Sequence, residues 1–369
     1  MRAVSLSVRS STSTSEARRV LLISAAAVLA TLLAAELLLR LLPVSTATQA
    51  GYYVDRDVLT YPPEHEWTAS TGWDLRNVQH LQANNLGFAS RVDFEADAKA
   101  IALIGDSYVE ASMLDEDVRP AVQLQAALGG GRKVYALGSP GTALLDYAQR
   151  IRFASQTLDT IDFVIWLEPG DARQALCGSG NVHSRCLDPR TLEPRVERWS
   201  DPSWLKRVAR HSALAQYLFG QLKLDLRRVA AGMFRRNVPA EPAPRPAGDA
   251  QAGGPDVAHE AGPRSRQVVD AVLEEFFQQV QPYRRGRMIF LVDGYRAAPP
   301  ARLSELDLER QYLIESLAAR GVEVVDMQPA FVADASRSGL SLEVGPYDRH
   351  LNERGVRLAM QQAAAQWRR

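Results

Sequence analysis

From residue 100 onward, short apolar runs alternate with longer helix-forming stretches, and that alternation constrains the fold more than any other feature. Residues 100–104, 133–137, 163–167, 288–292 and 322–326 read as strands. The stretches 120–128 (closed by Gly129-Gly130-Gly131), 144–154, 267–280 and 306–320 read as helices, and a last helix follows a turn around 347–352. Parallel strands need a long crossover between them, which a helix supplies. The pattern therefore predicts an α/β domain with a parallel sheet covered on both faces. At 369 residues the chain can bury one large core, or one domain with attachments.

The alternation has one long break. Residues 172–202 read as loop and hold both cysteines, and 204–234 read as a long, basic, amphipathic helical region. Residues 237–264 are Pro/Ala/Gly-rich without a period and read as a flexible surface linker. Together they make an insertion at 172–266 in a domain spanning 96–369.

Upstream, residues 1–16 are Ser/Thr-rich and read as a disordered tail. Residues 20–42 are Leu/Ala/Val-rich, broken only by Glu36 and Arg40. That length suits a bilayer of about 30 Å hydrocarbon thickness. Thr48-Gln49-Ala50 offers a signal-cleavage site, but the apolar run is longer than a usual signal core and the site lies well beyond it. An uncleaved transmembrane anchor over 19–42 is the favoured reading. Arg2, Arg9, Arg18 and Arg19 precede the span, so the positive-inside rule places the tail (1–18) in the cytoplasm. Everything after Pro43 then lies outside a bacterial inner membrane, in a periplasm. In the juxtamembrane segment 43–95, Tyr52, Tyr53, Trp67 and Trp73 read as packing against the domain or the membrane interface, and Asn84-Asn85-Leu86-Gly87 as a turn.

Lys plus Arg (43) equals Asp plus Glu (43), so no global basic field argues for a nucleic-acid partner. Two cysteines exclude a disulfide-dense scaffold and a four-cysteine zinc site. Outside the inner membrane, Cys177 and Cys186 pair as a disulfide by default, a reading tied to the anchor topology. His183 is the only other good metal ligand nearby, so no metal is expected. Lys206, Arg207, Arg210, Lys223, Arg227 and Arg228 lie among apolar residues in 204–228. Such a helix can lie on anionic lipid, bind an acidic glycan, or pack as a lid with a solvated basic face.

Gly105-Asp106-Ser107 ends the first strand and begins a helix, which puts a hydroxyl at the carboxyl edge of the sheet, beside helix N-terminal N–H groups. A simple helix cap is the alternative. A serine nucleophile needs a base and an orienting acceptor. Of the six histidines, His350 follows the last strand and precedes a helix, which brings it to the same edge, with Asp348 two residues before it.

Taken together, these stretches resemble the GDSL, or SGNH, hydrolase family. Gly105-Asp106-Ser107 matches the first block and implies Ser107 as nucleophile. Gly138-Ser139-Pro140-Gly141 resembles the second block, implying the N–H groups of Ser107 and Gly141 as the oxyanion hole. Asp348-Arg349-His350-Leu351-Asn352 resembles the last block, implying His350 as base with Asp348 as its partner. Glu36-Leu37-Leu38-Leu39-Arg40, ending the span, also resembles membrane-anchored bacterial members.

Two positions depart from the family pattern. Gly170, before Asp171, stands where the third block normally carries an oxyanion-hole Asn, and loss of one such donor costs about 10²–10³ in rate. Asn181 in the cysteine loop is a candidate replacement. Tyr347 stands where many members place the acid, leaving Asp348 as the better choice. The resemblance implies a three-layer α/β/α flavodoxin-like fold with one N-terminal transmembrane helix. It implies a serine esterase without cofactor or metal, acting on O-acyl esters, acetyl above all, of cell-envelope glycans or lipids. An O-acyltransferase using the same site, and a non-catalytic glycan-binding or assembly protein, are the alternatives.

Overall fold

The computed structural model describes residues 14–198, 202–222, 224, 261–296 and 302–369. Five parallel strands form the central sheet: β1 (Ile101–Gly105), β2 (Val134–Gly138), β3 (Asp162–Leu167), β4 (Met288–Val292) and β5 (Glu323–Asp326). Their spatial order is β2-β1-β3-β4-β5. This is the flavodoxin-like order, and the connections reverse direction at β1 and β3. Crevices at such a reversal open beyond the carboxyl ends of the strands, which is where the sequence places its candidate serine.

The central strands are apolar apart from Asp162 at the start of β3 because both faces are covered. Every residue of β1 is buried. Ile101 and Leu103 face a layer built from α2 (Pro120–Ala127), α6 (Gln328–Ser338) and α7 (Glu353–Trp367), with Leu124, Phe331, Val356 and Met360 in contact. Ala102 and Ile104 face the other layer, built from α3 (Leu144–Thr157), α4 (Pro263–Val280) and α5 (Glu305–Ala319), with Ile151, Val269, Leu273 and Leu313. The expected three-layer α/β/α arrangement is what forms, with helix α6 added between the last strand and the final turn.

Residues 43–95 are not a loose connector. They form two antiparallel hairpins, Gly51–Asp55 with Val58–Thr60 and Glu66–Thr71 with Arg76–Gln82. Val58, Phe88 and Phe94 enter the main core. The expected turn at Asn84 forms, its Oδ1 accepting from the N–H groups of Leu86 and Phe88, both at 3.0 Å.

The long helix expected over 204–234 is not continuous. Trp204–Ala209 stops, and a new turn, Ala213–Ala215, starts on Ser212, whose hydroxyl accepts from the Ala215 N–H before Gln216–Gln221 winds as a π-helix. The break is held from outside. Glu36 of the N-terminal helix (Thr14–Arg40) accepts from the Ser212 hydroxyl and from the Ala213 and Leu214 N–H groups, and Arg40 donates to the His211 carbonyl. The remainder of that expected helix, and the linker up to 260, lie outside the described residues. The N-terminal helix carries a 25-residue stretch, Glu16–Arg40, long and apolar enough to cross a membrane or to serve as a signal sequence.

Candidate active site

The turn after β1 is shaped by close backbone approach. Asp106 caps a four-residue helix, α1 (Ser107–Glu110), its carboxylate accepting from the Tyr108 N–H at 2.9 Å. This helix lies against the end of β2. A Cβ on Gly138 would meet the Glu110 nitrogen at 2.5 Å and the Asp106 carbonyl oxygen at 2.9 Å, so only glycine fits there.

Ser107 is thereby presented to the last turn of the chain. Its Oγ lies 2.8 Å from His350 Nε2, and His350 Nδ1 lies 2.6 Å from Asp348 Oδ1. The same Oδ1 accepts from the His350 backbone N–H at 2.9 Å. Burial opposes ionisation of Asp348, but the two His350 donors outweigh it and hold its carboxyl below the usual range. With Nδ1–H donated to the carboxylate, Nε2 is free to accept the serine proton. The ring of His350 packs against Tyr108, centroids 4.7 Å apart, which limits its swing. Asn352, next to this turn, caps α7 by accepting from the Gly355 N–H.

Gly141, expected as an oxyanion donor, follows β2 in a left-handed conformation, φ +73°. Its carbonyl accepts from the Val182 N–H at 2.6 Å. Buried Arg150 ties this turn to the strand that leads into Ser107, its Nη1 donating to the Gly105 carbonyl at 2.5 Å and to Thr142 Oγ1 at 3.0 Å. Among the described residues no acceptor is paired with the N–H of Ser107 or of Gly141. Gly170 adopts φ +100° as the cap of a short helix, Asp171–Gln174. Asn181, the candidate replacement, has its Nδ2 donating to Gln174 Oε1 at 2.7 Å.

Several groups around the serine left little trace in the sequence. Burial pushes the Asp106 carboxyl up to about 6, with His350 and Arg150 pulling the other way. Burial also pushes Glu110 up to about 6, although its Oε2 accepts from the Tyr61 hydroxyl at 2.6 Å. Glu168 and Asp293 leave the carboxyl ends of β3 and β4. Burial, then the neighbouring Asp293 and Asp106 carboxylates, raise Glu168 well above the ordinary range. Arg296 completes this tier, donating to Asp293 Oδ1 at 2.6 Å and to the Tyr108 hydroxyl at 3.2 Å. The signal for the acidic pair was positional: each directly follows a sheet strand. Arg150 sits in a largely buried helix, and nothing in its neighbours announces it.

A second Ser–His–Asp chain lies behind the Gly141 turn. Buried His183 pairs with Asp146 Oδ2 at 3.2 Å and Ser179 Oγ at 3.0 Å. Here the serine hydroxyl donates to the Gln174 carbonyl at 2.8 Å, while the same Asp146 oxygen also accepts from the Ala143 N–H at 2.9 Å. Its groups are committed to fastening the loop closed by the Cys177–Cys186 disulfide, which spans a sequence separation of 9.

No protein-family model matches the chain, and no curated protein matches it. Among solved structures, it is similar to a member of the lipolytic protein G-D-S-L family from Veillonella parvula, with 13% identity over 72% of this chain and 95% of that one, TM-score 0.36. It is also similar to a carbohydrate acetylesterase from Sinorhizobium meliloti (11% identity over 73% of this chain and 98% of that one, TM-score 0.37). An acetyl xylan esterase gives 10% identity over 72% of this chain and 98% of that one, TM-score 0.38. At such identities the chemistry has to be read from the side chains themselves.

Proposed function

We propose that the protein is a serine ester hydrolase of the SGNH type, acting on O-acyl esters of cell-envelope glycans or lipids. The observation that carries this reading is the continuous chain from Ser107 Oγ through His350 to Asp348, with contacts of 2.8 and 2.6 Å. In the proposed reaction Ser107 Oγ attacks the ester carbonyl as its proton passes to His350 Nε2. The N–H groups of Ser107 and Gly141 receive the developing oxyanion. His350 then gives its proton to the leaving alcohol, leaving an acyl-serine. A water, deprotonated by the same imidazole, releases the acid and restores the serine. Asp348 stays ionised throughout and stabilises the imidazolium.

Two backbone donors without a third from an Asn side chain predict a modest rate, about 10²–10³ below that of a three-donor site. The envelope assignment is supported by the membrane-length N-terminal helix, which we propose anchors the domain outside a bacterial inner membrane. The test is hydrolysis of p-nitrophenyl acetate by the purified chain, with Ser107→Ala and His350→Ala as controls. Turnover by the parent and its loss in both variants is the expected result. Turnover that survives Ser107→Ala would overturn the assignment. Adding an acceptor sugar then separates hydrolysis from transfer by whether acetate or an acetylated sugar accumulates.

A further inference from the structure

The region where the N-terminal helix ends is built unlike the rest of the surface. The Trp204–Ala209 helix buries none of its residues. Trp204, Leu205 and Val208 are 69, 62 and 60% exposed, interleaved with Lys206 and Arg207. Leu41, Phe219 and Trp73 add to this exposed apolar collar. A helix of this kind in water has nothing to hold its apolar side chains.

Its position explains what holds them. Glu36 lies one helical turn before Arg40, about 6 Å lower along the axis at 1.5 Å per residue. If about 20 residues cross the hydrocarbon from the Arg18-Arg19 pair, Glu36 sits just inside its far boundary, where a bare carboxylate is costly. That carboxylate is fully engaged, by Arg40 at 2.7 Å, the Ser212 hydroxyl at 2.8 Å, and the Leu214 and Ala213 N–H groups at 2.9 and 3.1 Å. The backbone of 212–214 is therefore fastened at the level of the bilayer edge, and the Trp204–Ala209 helix ends three residues before it. Tryptophan, short apolar runs and Lys/Arg are the residues that suit this depth.

A chain of contacts leads from there to the catalytic turn. The Tyr217 hydroxyl donates to the Trp73 carbonyl at 2.7 Å, and Gln221 Nε2 donates to the Gly72 carbonyl at 2.8 Å. Gly72 packs so closely on the Tyr347 ring that a Cβ there would lie 2.5 Å from it. Tyr347 is half exposed and adjoins Asp348.

We propose that the collar formed by the Trp204–Ala209 helix and the 71–74 hairpin tip is seated in the interface of the membrane that the N-terminal helix enters. There it holds the mouth of the Ser107–His350 site against the bilayer, so that the substrate is an acyl ester carried by a membrane lipid. The docking surface stands on the contacts to Glu36 and Arg40. The substrate class rests in addition on the esterase reading.

The full chain is reconstituted in vesicles of phosphatidylethanolamine and phosphatidylglycerol. Lipids brominated near the headgroup quench tryptophan emission in the parent, and Trp204→Phe removes part of the quenchable signal. An unchanged quenchable signal overturns the docking. For the substrate class, p-nitrophenyl acetate in solution is compared with 4-methylumbelliferyl oleate dissolved in the same vesicles, using the exposed-site variant Leu205→Asp/Val208→Asp. The expected result is solution turnover within about twofold of the parent and membrane-ester turnover lower by about tenfold. Equal effects on both esters, or none on either, overturn it, as does a parent that ignores the embedded ester while cleaving the soluble one. If the parent cleaves neither ester, the esterase reading and the substrate class fail together, while the quenching result still decides the docking.

Discussion

Gly138→Ala tests whether the close packing of two backbones positions the nucleophile. The new Cβ would lie 2.5 Å from the Glu110 nitrogen, 2.9 Å from the Asp106 carbonyl oxygen and 3.0 Å from the Val109 carbonyl carbon, all backbone atoms of the turn that carries Ser107. Ordinary contact begins at 3.4 Å, so helix α1 must retreat by about 0.9 Å. Directed along the Ser107–His350 contact, that retreat stretches a 2.8 Å hydrogen bond beyond bonding distance. A misplacement of about 1 Å costs about 10² in rate, and overpacking a core costs about 1–3 kcal/mol. The assay is kcat on p-nitrophenyl acetate with a urea melt on the same sample. Gly131→Ala is the control, because a Cβ there meets nothing within 4 Å. Expected is a fall of about 10² in kcat for Gly138→Ala alone. A Gly138→Ala protein with parental kcat and parental stability would refute the packing argument.

Further outcomes follow from the same geometry. Asp348→Asn keeps an oxygen for both His350 contacts but removes the charge, so kcat on the soluble ester falls by about 10²–10⁴. Asp348 is held below its ordinary range when folded, so its contribution to stability is present above about pH 4 and fades in acid, and urea midpoints of parent and variant converge as the pH falls through the lowered folded range. Glu110 is raised from 4.5 to about 6 on folding, which gives the opposite sign. Its favourable term is complete below about pH 4.5 and is lost by about pH 6, a change of about 2 kcal/mol. Glu110→Gln, which keeps an acceptor for Tyr61, should shrink the fall in unfolding free energy between about pH 4.5 and 7, read from urea melts, by that amount, and an unchanged fall counts against it. Opening the Cys177–Cys186 loop with a Cys177→Ser/Cys186→Ser double variant should cost about 3 kcal/mol by loop entropy, read from urea unfolding.

Much of the sheet was legible because its strands are buried on both sides and read as uninterrupted apolar runs. The run 288–292 has the same bounds in the sequence reading and the structure. Helix α6 was not anticipated, because Pro329 near its start and the polar run Asp334–Ser338 blur the apolar period that exposes longer helices. Neither hairpin of 43–95 was anticipated, since three of their four strands are partly exposed and alternate weakly, and the buried one, Val58–Thr60, is only three residues long. The expected 204–234 helix breaks at Arg210–Ser212, where Ser212 caps a new turn and the backbone is also taken up by Glu36 and Arg40, more than 170 positions earlier, a partnership no local pattern carries. Ser107, His350 and Asp348 were expected to meet at one sheet edge, and the structure brings them into contact, although helix α6 stands between the last strand and the turn that carries Asp348 and His350. Arg150 and the Glu168–Asp293–Arg296 tier were not, because buried charge is defined by partners distant in sequence.

The central claim is that Ser107 is an activated nucleophile, and labelling by a fluorophosphonate probe measures this directly. The purified chain should be labelled covalently, with the adduct mapped by mass spectrometry to Ser107. His350→Ala should slow labelling by about 10² or more, and Ser107→Ala should abolish it. No labelling of the parent protein, or equal labelling of Ser107→Ala, would contradict the account.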